Sequence, residues 1–432
     1  MSAPVRPLRS VPAPPPVVEV GHVGETSMWQ QLADEPTPEL QWPRSTRAFD
    51  QMYRQDGQIL SVYDAVTLPV RRAKWRVNPN GARDEVVQLI AEDLGLPIKG
   101  ADPDSAPRPL RTRDRFSFAQ HLEWACLQLV YGHMPFEQVA RIDDNGMVRL
   151  RKLAPRWPKT ITKFDVAADG GLVAIEQQTP SALMGRRGAT PSVRIPVDRL
   201  VMYCHRRQGG TWTGQSMFRP MYKNWLLKDQ ALMGWTNTLD RNGMGVPVYV
   251  GGPAETDLAA GERMAKNSRA GRYAGGAIPN GAEFGFEGVT GQLPDHEKNI
   301  RYHDESIAKA GLAHFLNLGQ AAGTGSWALG TTFADFFIMA LDAFAGGIAD
   351  VGTQHVVEDL VDWNWGPDEP APLLEVDTVG KGGTVLANAI KALIDSGAIR
   401  NDPSLEAYLR DLLGLPVKAP RQDTAPTPEV TA

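Results

Sequence analysis

The sequence is short of cysteine, of signal-peptide features and of uncharged apolar runs. Its 432 residues include two cysteines, Cys126 and Cys204, which excludes a multi-disulfide framework and a cysteine-rich zinc site. The most apolar stretch, 333–351, is interrupted by three aspartates, so we expect no membrane span. Near the start, prolines stand where a signal peptide needs an apolar core. Residues 1–25 and 419–432 are rich in proline, and we expect disordered tails there.

An excess of positive charge is also missing, because 45 Lys and Arg stand against 50 Asp and Glu, a net charge of −5. This balance argues against a generic basic coat for nucleic acid. The charge is divided along the chain: residues 141–223 contain 15 basic and 6 acidic residues, and 330–432 contain 6 basic and 16 acidic residues. The division suggests surfaces with different electrostatic partners, and solvated faces of ordinary domains are the alternative.

Motifs of catalysis and cofactor binding are missing as well. Residues 380–384 lack the upstream glycine and the Lys-Ser/Thr pair of a phosphate-binding loop. Residues 323–328 fit G-x-G-x-x-A, but a helical pattern precedes them where a dinucleotide site needs a strand, which favours a flexible turn. His296 and His303, with the two acidic residues after His303, could bind a metal, although such residues more often make surface hydrogen bonds. Cys126 has the apolar surroundings of a core thiol. We therefore predict no enzyme, no metal and no cofactor.

The first half of the chain changes from a helical to a strand period. Gly95 and Gly132 are the expected stops of the second and third helices. Over 136–205 the period approaches two, which predicts a basic, strand-rich block. Helices are predicted at 49–66, 84–94 and 118–131, and a strand at 74–77.

The second half predicts long helices separated by glycine-rich segments. Ser216 is the candidate N-cap of the first, and Asn242-Gly243 supplies its stop. Asp295 caps the second, which stops at Gly319. The three long helices are predicted at 216–242, at 295–318 and from Thr331 or Thr332 onward.

Six short motifs follow one another between residues 45 and 415. They are Met52-x3-Asp56-x2-Ile59, Arg71-Arg72-x2-Trp75-x-Val77-x-Pro79, Tyr131-Gly132-x4-Glu137, Thr213-Gly214-Gln215-Ser216, Asn242-Gly243-x3-Pro247 and Leu316-x-Leu318-Gly319-Gln320. In their order and spacing the chain resembles the portal proteins of tailed bacteriophages, particularly long-tailed phages including the Mu-like group.

The resemblance implies an α+β portal-type fold and a ring, typically of twelve subunits, around a channel for double-stranded DNA. Such a ring would sit at the capsid vertex, where DNA is packaged and ejected, and would contact the terminase large subunit, the head–tail adaptor, and the major capsid and scaffolding proteins. The implied regions are a mixed α/β wing at 45–212, stem helix 1 at 216–242, a small α/β clip at 244–290, stem helix 2 at 295–318, a tunnel loop at 319–330, a tunnel helix and return to the wing at 331–378, and a helical crown at 384–415.

The implied channel is free of positive charge. Residues 320–329 contain no basic residue, and Asp335 and Asp342, seven positions apart, share a face of the next helix. A neutral-to-acidic lining repels phosphates and lets DNA slide, whereas several Lys or Arg contacts would hold it tightly. The channel-loop residues are Gln320, Thr324, Gly325, Ser326 and Trp327. The stem-helix residues are Met221, Trp225, Trp235, Ile300 and Ile307, and the basic residues expected at subunit or docking contacts are Arg186, Arg187, Arg206 and Arg207.

Two other functions stay open at this point. Another structural head- or tail-completion protein of a phage would lack the succession of long helix, α/β insert, long helix and glycine-rich loop. A DNA-processing hydrolase would need a carboxylate or histidine cluster that the sequence does not provide. An ATP-driven motor is disfavoured by the missing phosphate-binding loop.

Overall fold

The alternation of helical and strand periods builds a mixed α/β protein. The computed structural model describes residues 35–101, 116–179, 192–244, 246–267, 277–287, 295–311 and 327–379, and of these it describes the backbone alone at 240–244, 246 and 327–335.

Ten α-helices lie in the described ranges. They are α1 (Ser45–Gln55), α2 (Gly57–Arg72), α3 (Asp84–Leu94), α4 (Phe118–Ala125), α5 (Gln128–Tyr131), α6 (Tyr222–Met244), α7 (Ala259–Asn267), α8 (His296–Ala310), α9 (Trp327–Gly352) and α10 (Glu358–Trp365). A π-helical turn at Thr353–Val357 joins α9 to α10.

The strands form four small antiparallel sheets. They are β1 (Trp75–Asn78), β2 (His133–Ile142), β3 (Val148–Pro155), β4 (Ile161–Val166), β5 (Leu172–Gln178), β6 (Ser192–Pro196), β7 (Leu200–Cys204), β8 (Val246–Val250), β9 (Glu283–Glu287) and β10 (Leu373–Val376). The strand orders are β1-β10, β3-β2-β7, β4-β5-β6 and β8-β9. The strand-rich block predicted over 136–205 is therefore confirmed.

The helix predicted at 84–94 is confirmed to the residue, and Gly95 ends it with φ +67°. The helix predicted at 118–131 is interrupted. Leu127 and Leu129 donate backbone hydrogen bonds to residues three positions earlier, so the chain tightens between α4 and α5. Gly132 then ends α5 with φ +88°, as expected.

The long helices differ from their predicted bounds. The first begins at Tyr222 because a 3-10 turn containing Pro220 precedes it. It also includes Gly243, the predicted stop. The second ends at Ala310, and Gly311 is its C-cap, so the stop expected at Gly319 is wrong. The third begins at Trp327, before the predicted start.

Most elements share one hydrophobic core. Ile59 of α2 and Phe136 of β2 are completely buried in it, and so are Met221, just before α6, and Ile307 of α8. A smaller cluster lies under the β4-β5-β6 sheet, with Ile175 at its centre and Trp42 packed against it. The start of α6 and the end of α8 therefore lie against the main core of the α/β body.

Residues Phe336–Trp365 form a helical stretch that is long and apolar enough, by length and composition alone, to cross a membrane. Within this stretch, Phe337, Leu341 and Ala345 recur at helical spacing and are buried in the main core. Core packing accounts for much of the apolar composition, and the absence of a membrane span stays a prediction.

Candidate functional site

The site lies where the loop before α6 crosses the end of α5. Gly132 has φ +88° and Gly214 has φ +61°, both in the left-handed region that favours glycine. A Cβ atom on Gly214 would overlap the carbonyl oxygen of Gly132. Two of the six sequence motifs therefore meet here, and both require glycine because of close approach as well as backbone conformation.

Backbone hydrogen bonds fix this crossing. The His205 N–H donates to the Gly132 carbonyl at 2.8 Å, and the Gln215 N–H donates to the His205 carbonyl at 2.8 Å. The Met217 N–H donates to the Leu129 carbonyl, also at 2.8 Å. The loop is thus bound both to the chain leaving β7 and to α5, which determines where α6 begins.

Buried His133 adds a side-chain contact to the same crossing. Its Nδ1 lies 2.8 Å from the carbonyl oxygen of Thr213, so the neutral ring donates a hydrogen bond there through its Nδ1–H group. Burial lowers the pKa of His133 to about 4, against the smaller opposing effect of the hydrogen bond. The imidazole is therefore neutral at pH 7.

Ser216 does not cap the α-helix as predicted. Its hydroxyl accepts the Phe218 N–H at 3.0 Å and donates to the Leu129 carbonyl at 3.3 Å. The 3-10 turn Arg219–Met221 then separates Ser216 from α6. Ser216 thus orients the loop before the helix and does not act as its N-cap.

A partly buried ion triad joins the α/β body to the long helices α6 and α8. Lys228 Nζ of α6 lies 3.0 Å from Asp56 Oδ2 and 2.6 Å from Asp304 Oδ1 of α8. The side chains are 12% exposed for Lys228, 6% for Asp56 and 31% for Asp304. Burial opposes the charge on Lys228, but the two carboxylates together raise its pKa. One ammonium group therefore holds three elements.

Asp56 has a second role in the triad. Its Oδ1 accepts the N–H groups of Gln58 and Ile59 at 2.9 and 3.0 Å, which makes Asp56 the N-cap of α2. Because the other oxygen is used by Lys228, one carboxylate starts a helix of the body and anchors α6 to it.

Further contacts pair α8 with α6 and α2. His303 Nδ1 lies 3.2 Å from Asn224 Oδ1, and His296 Nε2 lies 3.3 Å from Thr238 Oγ1. A Cβ atom on Gly311 would overlap Val62 of α2, so the end of α8 touches the body directly. His303 and Asp304, candidates for a metal site in the sequence, are used in these contacts. In the described part of the chain, no three His, Cys, Asp or Glu side chains are grouped as a metal site.

The predicted stem-helix residues lie in or next to α6 and α8 and differ in burial. Met221 and Ile307 are completely buried in the core. Trp225 packs against that core. Trp235 and Ile300 are half-buried.

The predicted channel residues are only partly described. Gln320, Thr324, Gly325 and Ser326 lie outside the described residues, whereas Trp327 is the first residue of α9 and not part of a loop. Asp335 lies in α9, and its side chain is not described. Asp342 is half-buried, and its Oδ1 accepts the Val379 N–H at 2.6 Å.

Of the predicted basic contacts, Arg186 and Arg187 lie outside the described residues. Arg206 is exposed and has φ +49°. Exposed Arg207 has its guanidinium carbon 4.3 Å from the ring centroid of Trp212, a cation–π contact within the chain.

Lys228 is the residue that sequence reasoning missed. It lies seven positions after Met221 and seven before Trp235, so it shares the apolar face that predicted the helix. A lone lysine in register with an apolar stripe was the available signal. Its partners Asp56 and Asp304 belong to a sequence motif and to the candidate metal ligands, and nothing in the sequence shows that they meet.

The contacts of this site hold helices in position. The charged groups of the triad are paired with one another, and the Cys126 thiol is unreactive. Burial raises the pKa of Cys126 to about 12, so it is not a nucleophile at neutral pH.

Comparison with known proteins identifies the family. The family model described as the portal protein of Mu bacteriophage matches residues 46–415. The chain belongs to this family. The predicted phage portal protein of the capsid vertex is thereby confirmed, as is the prediction of a structural protein without enzymatic activity.

Solved structures of gene transfer agent particles share the fold of this portal protein. A neck of an empty particle computed with C6 symmetry is similar with a TM-score of 0.56 and 14% identity, over 87% of this chain and 95% of that chain. A neck of a native particle computed with C12 symmetry gives 0.55 and 13% over the same shares. A virion of the native particle gives 0.55 and 14%, again over 87% and 95%.

Proposed function

We propose that twelve copies of this portal protein close into a ring at the capsid vertex, and that double-stranded DNA enters and leaves the capsid through its channel. The observation that carries the proposal is the surface of α6. A ring subunit needs two different faces, one for each neighbour.

One side of α6 is covered by α8, through Asn224, Lys228 and Thr238. The remaining sides carry uncovered apolar residues. Leu226 and Met233 are 40% and 60% exposed and lie seven residues apart, so they share a face. Leu232 and Leu239 are 41% and 59% exposed and share another face, about 120° away.

Two apolar faces on one helix are costly in a solitary chain, since burying a side chain of this size is worth about 1.5–3 kcal/mol. A closed ring supplies one neighbour for each face. Phe336 and Met339 of α9, 62% and 64% exposed, extend the uncovered apolar surface. The fold shared with a neck computed with C12 symmetry supports twelve copies.

The regional assignments follow from the same proposal. In this arrangement α6 and α8 are the stem helices, α7 with β8 and β9 belongs to the clip, and β2–β7 form most of the wing. The proposed channel loop is 319–326, shorter than the predicted 319–330 because α9 begins at Trp327. These residues and 384–415, the proposed crown, lie outside the described residues. The terminase large subunit, the head–tail adaptor, and the capsid and scaffolding proteins are the expected docking partners.

The channel mechanism rests on charge and on the loop sequence. Residues 320–326 of the loop and 327–329 at the start of α9 carry no basic side chain, so no ammonium or guanidinium there would hold the phosphates of passing DNA. Acidic Asp335 follows in α9. The terminase supplies the driving force in this account, and the portal supplies a wall with low affinity for DNA.

The test compares two glutamate substitutions by particle mass and electron microscopy. Met233→Glu places a charge on one uncovered face of α6 and should abolish closed rings while circular dichroism of the subunit stays unchanged. Ile142→Glu, at the 73% exposed end of β2, is the matched control and should leave rings intact. Normal rings from the Met233 variant would overturn this assignment of the ring contact.

A further inference from the structure

A glutamine connects the β3-β2-β7 sheet, here called the wing sheet, to the π-helical turn between α9 and α10. Gln138 of β2 is 6% exposed. Its Nε2 donates to the main-chain oxygen of His355 in the π-helical turn and to Oδ2 of Asp359 in the first turn of α10. Its Oε1 is buried and has no hydrogen-bond partner among the described residues. A buried amide oxygen without a donor destabilises the contact that the amide nitrogen makes.

The surroundings of Asp359 disfavour its charge. Burial raises the pKa of Asp359 to about 6, with the hydrogen bond from Gln138 acting in the opposite direction. The carboxylates of Asp362 and Glu358 on α10 and of Asp198 on the turn before β7 raise it further.

The neighbouring basic and imidazole groups do not offset this. Burial lowers the pKa of His355, so its ring is neutral at pH 7. On β3, which also packs on α10, Arg149 pairs with Glu92 and Asp93. Arg151 and Lys152 of that strand also make interactions, and neither is among the groups that shift the pKa of Asp359 most.

Gln138 Oε1 lacks a hydrogen-bond donor, and the charge on Asp359 is disfavoured. Protonation of Asp359 would relieve both. An ionised carboxylate only accepts hydrogen bonds, whereas a carboxylic acid also donates one. A carboxylic acid and a primary amide can therefore form two parallel hydrogen bonds, N–H to carbonyl and O–H to carbonyl. The Gln138 amide already makes the first bond and lacks the second.

We propose that Asp359 makes a proton-dependent contact between β2 and the first turn of α10, directly after the π-helical turn. When it is ionised, one hydrogen bond joins Asp359 to Gln138. When it is protonated, the acid pairs with both polar atoms of the amide and holds the turn more firmly against the wing sheet. The turn connects the helix that follows the channel loop to α10, and π-helical turns are frequent at functional positions. The contact lies within one chain and is independent of ring formation.

Amide hydrogen exchange of residues 353–357, read by mass spectrometry and corrected for the intrinsic pH dependence of exchange, tests the proposal on the full-length protein. If the open turn has an ordinary aspartate, a change from pH 8 to pH 5 should reduce opening by about tenfold for a folded-state pKa of about 6. His355 acts in the opposite direction, because its lowered pKa makes acid favour opening. Greater protection at pH 5 therefore cannot come from His355.

Three variants separate the acid–amide pair from general charge effects. Asp359→Asn is neutral and keeps both hydrogen-bonding atoms, so opening should be low and nearly independent of pH. Asp362→Asn removes a neighbouring carboxylate and should preserve the pH response, with its midpoint moved to lower pH. Gln138→Met keeps the length of the side chain and removes both hydrogen bonds of the acid–amide pair, so opening at pH 5 should increase, while the burial of Asp359 preserves part of the pH response. Equal protection of the wild type at pH 5 and pH 8, or a full response in Asp359→Asn, would overturn the proposal.

Discussion

Replacing Lys228 by methionine tests the ion triad that joins α2, α6 and α8. Methionine keeps an unbranched apolar side chain, so packing changes little while the ammonium group is lost. Asp56, 6% exposed, is then left without its cation. Removing one partner of a buried ion pair costs about 3–5 kcal/mol. Because Asp304 is 31% exposed and water can reach it, we expect the lower end, about 3 kcal/mol.

The assay is urea unfolding followed by tryptophan fluorescence, with Trp225 on the same helix. The matched control is Lys266→Met, which breaks the i,i+4 pair with Glu262, where the side chains are 73% and 61% exposed. That change should leave the free energy of unfolding nearly unchanged, because water and salt screen an exposed pair. Adding Asp56→Asn to Lys228→Met should recover part of the loss, because asparagine still caps α2 and carries no charge. Equal losses in the Lys228 and Lys266 variants would refute the reasoning.

The remaining predictions concern the crossing before α6 and the channel loop. Gly214→Ala should lower the free energy of unfolding by about 3 kcal/mol, since overlap with a backbone oxygen adds to an unfavourable φ. Gly146→Ala, with φ +80° and open space around the Cβ position, is the control and should cost about 1 kcal/mol. Equal losses in the two variants would contradict the close approach of Gly214 to Gly132. His133, whose pKa falls from 6.5 to about 4 on folding, contributes stability that is complete above pH 6.5 and is lost as the pH falls towards 4. His133→Gln should therefore make the loss between pH 7 and pH 5 smaller by about 2 kcal/mol in urea unfolding, and an unchanged pH profile would argue against a neutral buried ring. Thr324→Lys combined with Ser326→Lys should slow packaging while rings still form, and normal packaging rates would count against the sliding channel.

Local sequence signals located most elements but not all of their ends. Gly95 and Gly132 ended helices as predicted, because a left-handed C-cap depends on the residue itself. The prediction that Ser216 caps α6 is wrong, because its hydroxyl donates to the carbonyl of Leu129, 87 residues earlier. The helix α8 ends at Ala310, and a Cβ atom on the following Gly311 would overlap Val62 of α2. Such long-range contacts are invisible to periodicity.

The candidate site was predictable in its parts and not in its assembly. The motifs containing Gly132 and Gly214 were recognised separately, and only the fold brings them together. Asp56 was visible as a motif residue, but its pairing with Lys228 spans 172 residues of chain. Periodicity predicts an apolar helix at α6 but does not separate core from subunit interface, because an apolar stripe has the same spacing whether it contacts its own chain or a neighbour.

Electron microscopy of the purified wild-type protein, with particle symmetry counted, tests the central claim most directly. The account predicts closed rings with twelvefold symmetry and an open central channel. A population of single subunits that never associates at any protein concentration would contradict it.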